Sequence, residues 1–368
     1  MGWRTGEDDK EDTTGKRQMT RYAINGRFLT RQVTGVDRYA REIVRELDGM
    51  VSPGEAVVVV PRGVELVKPL DLASIHYVRY GGRSGHWWEQ VEFSAYCRKN
   101  GFLGVSLCNT APMRNPGVVC IHDMAVRANE GNYSKKFIAW YRILFSAIIK
   151  RAKAIITVSE FSKREIEKYY PTARGKITVI PNAWQHMQRV DADGSALARY
   201  DLKPDGYWFA MSSLAPNKNL RWLMETALLN PGETVAIAGG MNAKVFGEHG
   251  IPEAGNVRYL GYVTDGEAKA LMAKCRGFLF PTFYEGFGIP PMEAMASGAS
   301  CVVVSDTEVM HEVYGDAVVY IDPHVPLEDL NGLPQPLIPS DTCLNGYSWH
   351  NSAKRLLQLI RSIGEDVN

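Results

Sequence analysis

The 368-residue sequence has almost no charge imbalance: 42 Lys and Arg stand against 41 Asp and Glu, a formal net charge of +1. Without a basic excess, no global field draws the chain to nucleic acid; no nucleic-acid partner is expected, and any anionic ligand must be recognised locally. There is no CxxC pair and no Cys/His spacing suited to zinc. The six cysteines (Cys97, Cys108, Cys120, Cys275, Cys301 and Cys343) are scattered through mostly apolar surroundings. They read as buried thiols of a reducing compartment rather than as disulfides or metal ligands. No run of about eighteen uncharged apolar residues occurs, and the opening MGWRTGEDDKEDTTGKRQMT lacks the apolar stretch of a signal peptide, so a cytoplasmic location is expected. Internal repeats are missing. So is an acidic DxD pair beside an apolar strand end, and neither a metal nor any other cofactor is expected.

What the sequence does have is the material of a large interior, with 45% hydrophobic and 23% charged residues. A chain of this length predicts two domains of about 100 to 200 residues each. Short β-branched or aromatic runs alternate with helical patterns, the signature of βα units on parallel sheets. Expected strands in the first half are 21–24, 56–60, 75–78, 105–108, 118–121, 154–158 and 177–180. In the second half they are 207–211, 234–238, 257–260, 277–281, 300–304 and 317–321. The fold class is therefore α/β, two Rossmann-like domains with parallel sheets facing across a cleft. Residues 1–20, polar and Gly/Thr-rich, read as a disordered extension; 21–185 form an N-terminal domain, 186–205 a linker and 206–347 a C-terminal domain. Residues 348–368 read as a helix crossing back to the N-terminal domain, with Leu356, Leu359, Ile360 and Ile363 on one face.

The strongest chemical signal is PTFYEGFGIPPMEAMASG, from Pro281 to Gly298. An apolar strand runs into a glycine loop (Gly286, Gly288), and Pro290 with Pro291 opens a helix expected to carry Glu293 in its first turn. At the carboxyl end of a parallel strand, loop amides and a helix N-terminus offer positive partial charge to a phosphate, and glycine lets the backbone come close. Glu285 and Glu293, eight residues apart, can flank one elongated ligand, and carboxylates accept hydrogen bonds from sugar hydroxyls well. Lys218 lies in a short polar loop after the strand YWFAM, where a cation reaches a ligand at the strand's end. His122 follows the strand VVCI beside Asp123; a lone histidine there is more often structural.

These residues resemble family 4 of the retaining glycosyltransferases, which have the GT-B fold. The resemblance runs from Tyr22 to Leu357 and includes TGVDRYAREI (34–43), IHDM (121–124), TVSEFSKREI (157–166), ITVIPNAW (177–184), SLAPNKNL (213–220) and YLGYVTD (259–265). It implies a metal-independent transferase that retains configuration by a same-face route, moving a hexose from a GDP-, UDP- or dTDP-sugar to a glycan or polyprenyl-diphosphate-linked acceptor of a cell-surface polysaccharide. It implies further that Glu285 contacts the transferred sugar and Glu293 the ribose. Gly286, Phe287, Gly288 and Ile289 would give main-chain amides, Lys218 would bind the diphosphate, and Gly35, Ser213, Asn217, Tyr262 and Val263 would complete the donor site. His122 would touch the sugar in the transition state while Asp123 fixes its orientation or the loop.

One departure from the family pattern concerns charge. Many relatives pair the lysine with an arginine five residues before it or directly before it, and here those positions are Ser213 and Asn217; Arg27 and Arg38 are candidates to replace it. On the acceptor side, His86, Trp87 and Trp88 in SGHWWEQVEF either contact sugar faces or, for the two tryptophans, belong to the core. The segment 134–154 is a basic amphipathic helix that either lies on anionic lipid at the inner membrane face or packs on the sheet with a solvated basic edge. Rival readings are a nucleotide-sugar epimerase or a phosphorylase on the same fold, and a non-catalytic nucleotide-binding scaffold.

Overall fold

The computed structural model describes residues 20–132, 134–212, 215–240 and 254–365. The expected N-terminal extension, Thr20 apart, and Ser213 lie outside them. The first half forms a seven-stranded sheet from β1 (Tyr22–Asn25), β2 (Ala56–Val60), β3 (His76–Arg79), β4 (Leu103–Ser106), β5 (Val118–Cys120), β6 (Ala154–Thr157) and β7 (Ile177–Val179). The second half forms a six-stranded sheet from β8 (Tyr207–Met211), β9 (Thr234–Ala238), β10 (Val257–Gly261), β11 (Gly277–Phe280), β12 (Val302–Ser305) and β13 (Val319–Ile321). Every pairing is parallel, in the orders 3-2-1-4-5-6-7 and 10-9-8-11-12-13.

The strands read as continuous apolar runs because helices cover both faces of each sheet: AIIT of β6, GFLF of β11 and VVVS of β12 are buried at every position. Strand order reverses between β1 and β4 and between β8 and β11. Loops that leave neighbouring strands there diverge to opposite faces and open a crevice at the strands' carboxyl ends.

The helices that shape the crevice are α1 (Gly35–Asp48), α2 (Lys135–Arg151), α3 (Glu160–Tyr169), α4 (Leu220–Leu229), α5 (Asp265–Lys274), α6 (Ile289–Ser297), α7 (Glu308–Tyr314) and α8 (Trp349–Glu365). α1 starts cleanly because Thr34 and Asp37 form a capping box. α8 packs on α1, with Arg361 Nη2 2.8 Å from Glu55 Oε1 and Ser352 Oγ donating to Pro181 O at 2.8 Å. None of the described helices is long and apolar enough to cross a membrane.

Packing places two segments. Residues 186–205, expected as a linker, join the two halves and are held against α5. Lys269 Nζ donates to Met187 O and Val190 O (2.7 and 2.8 Å), Asp193 N to Gly266 O (3.0 Å), and His186 is buried. Their main chain is tied to α5 although their side chains are mostly polar. Trp88 belongs to the core: it is 0% exposed and its indole N–H donates to Tyr80 O at 2.8 Å, whereas Trp87 is 72% exposed. Consecutive helical residues point about 100° apart, so one ring faces the core and the other faces solvent.

Candidate functional site

The two halves meet at the loops after β5 and β11. Gly286 lies against the main chain of His122: a Cβ added to it would sit 2.3 Å from His122 O, so a larger residue could not hold this approach. Ser159 Oγ donates to Gly286 O at 2.6 Å, and Ser162 Oγ lies 3.1 Å from Gly286 O and 2.8 Å from His122 O. Tyr284 of the same loop accepts a bond from Met124 N at 3.3 Å. Glu312 of α7 accepts from the first amides of α3, Glu160 N and Phe161 N, at 2.6 and 2.7 Å.

At this junction Lys218 Nζ and Glu285 Oε1 are 2.6 Å apart, joining the loops after β8 and β11, and Lys218 also stands over the Phe280 ring. Asn217 adds two bonds: its Nδ2 donates to Tyr284 O (3.2 Å) and its O accepts from Phe283 N (2.9 Å). The residue in the arginine's place thus fastens the loop after β8 to the loop after β11. Burial raises the Asp123 carboxyl above its ordinary range, and the Ala125 amide and the Lys218 charge offset this only in part. The Lys218 charge is therefore felt across the seam.

His122 is fixed from two sides. Its amide donates to Asn109 Oδ1 at 2.7 Å, its Nε2 bonds Leu107 O at 2.8 Å, and its ring meets Tyr39 edge to face at 4.9 Å. A carbonyl only accepts, so Nε2 carries the proton, leaving Nδ1 as the ring's acceptor. Burial lowers its pKa to about 4. It is a neutral imidazole at neutral pH, suited to hydrogen bonding rather than to carrying charge.

In the loop leading into α6, the amides of Gly286, Phe287, Gly288 and Ile289 donate to no described residue. Pro290 and Pro291 have no N–H, so the helix start leaves few donors without partners, and those belong to the loop and Ile289. Gly288 caps the helix at φ +80 in the left-handed region, where a Cβ would come within 2.7 Å of Met310. The side chains of Phe287 and Ile289 are core, so only their main chain can serve a ligand.

Glu293 is the fifth residue of α6, one turn beyond the expected first. Its Oε1 lies 2.8 Å from His186 Nε2 and 3.9 Å from Arg38 Nε, and Arg38 Nη2 lies 2.7 Å from Asp265 Oδ1. Burial would raise the Glu293 carboxyl, but the His186 bond and the Arg38 charge outweigh it and hold it below the ordinary range.

Arg38 is thus engaged by acids beside Glu293. Arg27 is likewise engaged, its Nη2 2.8 Å from Thr110 Oγ1 and its Nε 3.6 Å from the buried Glu89. Neither accompanies Lys218. Of the remaining expected residues, Gly35 opens α1 with nothing within 4 Å of an added Cβ, Tyr262 is 68% exposed, and the Val263 side chain is buried in the core. His86 is half exposed, with Nδ1 3.5 Å from Glu89 Oε2. Sequence reasoning missed Glu89, Ser159, Ser162, Tyr284, His186 and Asp265. Only Ser159 carried a local signal, as the N-cap before α3.

Two doubly wound sheets, with an amide-lined glycine loop facing an imidazole, define the class as a GT-B protein. Residues 77–184 match the family described as "Glycosyltransferase Family 4" and residues 207–329 the family described as "Glycosyl transferases group 1". Each half of the chain thus matches a glycosyltransferase family model. O-antigen chain mannosyltransferase B of Escherichia coli is 34% identical over 220 residues, 56% of this chain and 57% of that protein. O-antigen chain mannosyltransferase RfbU of Salmonella typhimurium is 26% identical over 58% of this chain and 59% of its own length. The matches thus span a little over half of either relative. Among solved structures, sucrose-phosphate synthase of Thermosynechococcus elongatus superposes with a TM-score of 0.61 at 13% identity, covering 95% of this chain and 97% of that one. Anabaena HepE in complex with UDP and glucose gives 0.59 at 15%, covering 95% and 98%. WaaG, a glycosyltransferase involved in lipopolysaccharide biosynthesis, gives 0.59 at 12%, covering 94% and 96%.

Proposed function

We infer that this protein is a retaining, metal-independent glycosyltransferase that moves a hexosyl unit, of the mannosyl type, from a nucleotide-diphosphate sugar to a glycan or lipid-linked acceptor in surface polysaccharide synthesis. The observation that carries this reading is the Lys218 to Glu285 pair, 2.6 Å apart in the loops after β8 and β11, with the Lys218 charge reaching Asp123 across the seam. A donor diphosphate would take over Lys218 and the loop amides, freeing Glu285 to accept bonds from sugar hydroxyls. The C1–O bond to the leaving phosphate breaks, the bond from C1 to the acceptor oxygen forms on the same face, and the acceptor proton passes to the departing phosphate oxygen. The neutral His122 ring offers Nδ1 to the sugar. Lys218 and the amides supply the electrostatic stabilisation that a cation would otherwise give.

The names of the mannosyltransferase relatives support the sugar, and the UDP complex of HepE supports a nucleotide donor. Membrane contact is supported by the outer face of α2, where Trp140 and Ile143 are 39% and 60% exposed beside Lys135 and Lys136. On this reading the working protein sits at the cytoplasmic face of an anionic membrane. The test is a thermal-shift screen of GDP-, UDP- and dTDP-sugars followed by product analysis with a lipid-linked glycan acceptor. One donor should raise Tm and be consumed only with acceptor present, and Glu285→Ala should abolish transfer without lowering Tm in the absence of donor. Normal turnover by Glu285→Ala would refute the assignment.

A further inference from the structure

Glu293 does not stand alone in its pocket. His186, from the segment leaving the first domain, is 2% exposed and places Nε2 2.8 Å from Glu293 Oε1. On the other side of the ring, Trp349 Nε1 of α8 is 3.2 Å from His186 Nδ1. An indole N–H can only donate, so Nδ1 must accept, and the proton of the neutral ring resides on Nε2, directed at the carboxylate. Trp349 is itself fixed: its ring is fully buried and its amide donates to Gln185 Oε1 at 3.1 Å. Glu293 keeps a 14% exposed side chain, and no described residue donates to its Oε2. One carboxylate oxygen is therefore anchored from within the protein, and the other is open to a ligand.

We propose that His186 and Trp349 are positioning residues for the nucleotide half of the donor site: Trp349 selects the Nε2–H tautomer of His186, which aims Glu293 at the ribose hydroxyls of a nucleoside diphosphate. This rests on the reading of Glu293 as a donor-binding carboxylate. The chain of bonds runs through α8, the inter-domain segment and α6, so the C-terminal helix that packs on the first domain also sets the orientation of a donor ligand held by the second. A fixed rotamer is what such a carboxylate needs, because a shift of about 1 Å at a binding group costs up to a hundredfold.

The test titrates GDP, UDP and dTDP into the full chain by calorimetry and carries the tightest binder into variants. His186→Ala should raise its Kd and the donor KM about 10- to 100-fold and leave the acceptor KM within about twofold. His186→Gln, whose amide can donate to Glu293 and accept from Trp349, should recover binding to within about threefold, a rescue that a space-filling role does not predict. Trp349→Phe keeps a ring but removes the donor, and should raise Kd about three- to tenfold. In a Glu293→Gln background, His186→Ala should add little. The proposal is overturned if His186→Ala or Trp349→Phe leaves the nucleotide Kd unchanged while Glu293→Gln weakens it, or if His186→Gln is as weak as His186→Ala. If Glu293→Gln itself leaves Kd unchanged, the donor-site reading of Glu293 falls and takes the proposal with it.

Discussion

The two walls of the cleft are built in opposite ways. On the N-terminal side, the side chains are spoken for: His122 is held by Leu107 and Asn109, and Glu89 accepts from Asn25 Nδ2 at 2.9 Å and from Thr110 Oγ1 at 2.9 Å. On the C-terminal side, the loop amides from Gly286 to Ile289 have no described partners, and Glu285 is held by a lysine that an anion would attract away. Buried polar groups must be satisfied within the protein or by a ligand. The first wall is therefore held mainly by its own bonds, with His122 Nδ1 left as an acceptor, whereas the second presents a row of main-chain donors to a ligand.

That contrast can be broken at the first wall. Trp88→Ala removes a fully buried ring packed with Ala23, Val59 and Phe93 and should cost about 3 to 5 kcal/mol of stability in urea melts. Trp87→Ala, at an exposed position, should stay within about 0.5 kcal/mol. Acid should strain the same wall. With the His122 pKa lowered from 6.5 to about 4, the unfolded chain takes up a proton between those values that the native ring refuses. The stability present above about pH 6.5 should then fall by about 3 kcal/mol as pH drops through 4. Urea melts at pH 7, 5 and 4 should show a shallower loss in His122→Asn; an identical slope would exclude a buried neutral imidazole.

At the junction of the walls, Gly286→Ala places a methyl group 2.3 Å from His122 O and should lower turnover on the order of 100-fold by forcing the loops apart. Small-angle scattering should show a more open particle. A smaller effect on binding sharpens the contrast on the second wall. Lys218→Met should weaken nucleoside diphosphate binding about tenfold, yet leave the ligand-free Tm nearly unchanged, because its bond to Glu285 is partly exposed.

Much of the fold was legible because strand patterns are local. AVVVV, YWFAM and TVAIA begin and end as the residue pattern indicates. Boundaries moved where a strand's last residue turns into a cleft loop, as with Val158 after β6 and Leu107 after β4. Of the site, Glu285 and Lys218 were legible because each follows an apolar strand in a short loop, and the parallel register of β8 with β11 then brings them together. His186 was not legible: it lies among polar residues that resemble a connector, and its burial comes from α6 and α8, far away in sequence. Trp88 and Trp87 are indistinguishable by type, and only packing against the sheet decides which faces inward.

By itself, the sequence determined that thirteen apolar runs would form parallel sheets and that a glycine loop with two carboxylates would close one of them, since periodicity, glycine and proline act over a few residues. Only the tertiary structure decided which carboxylate pairs with a lysine and which with a histidine, that Gly286 rests on His122, and that the C-terminal helix reaches His186 beside Glu293. These are contacts between segments more than a hundred residues apart in several cases, set by how two sheets and their helices pack, and no local pattern encodes them.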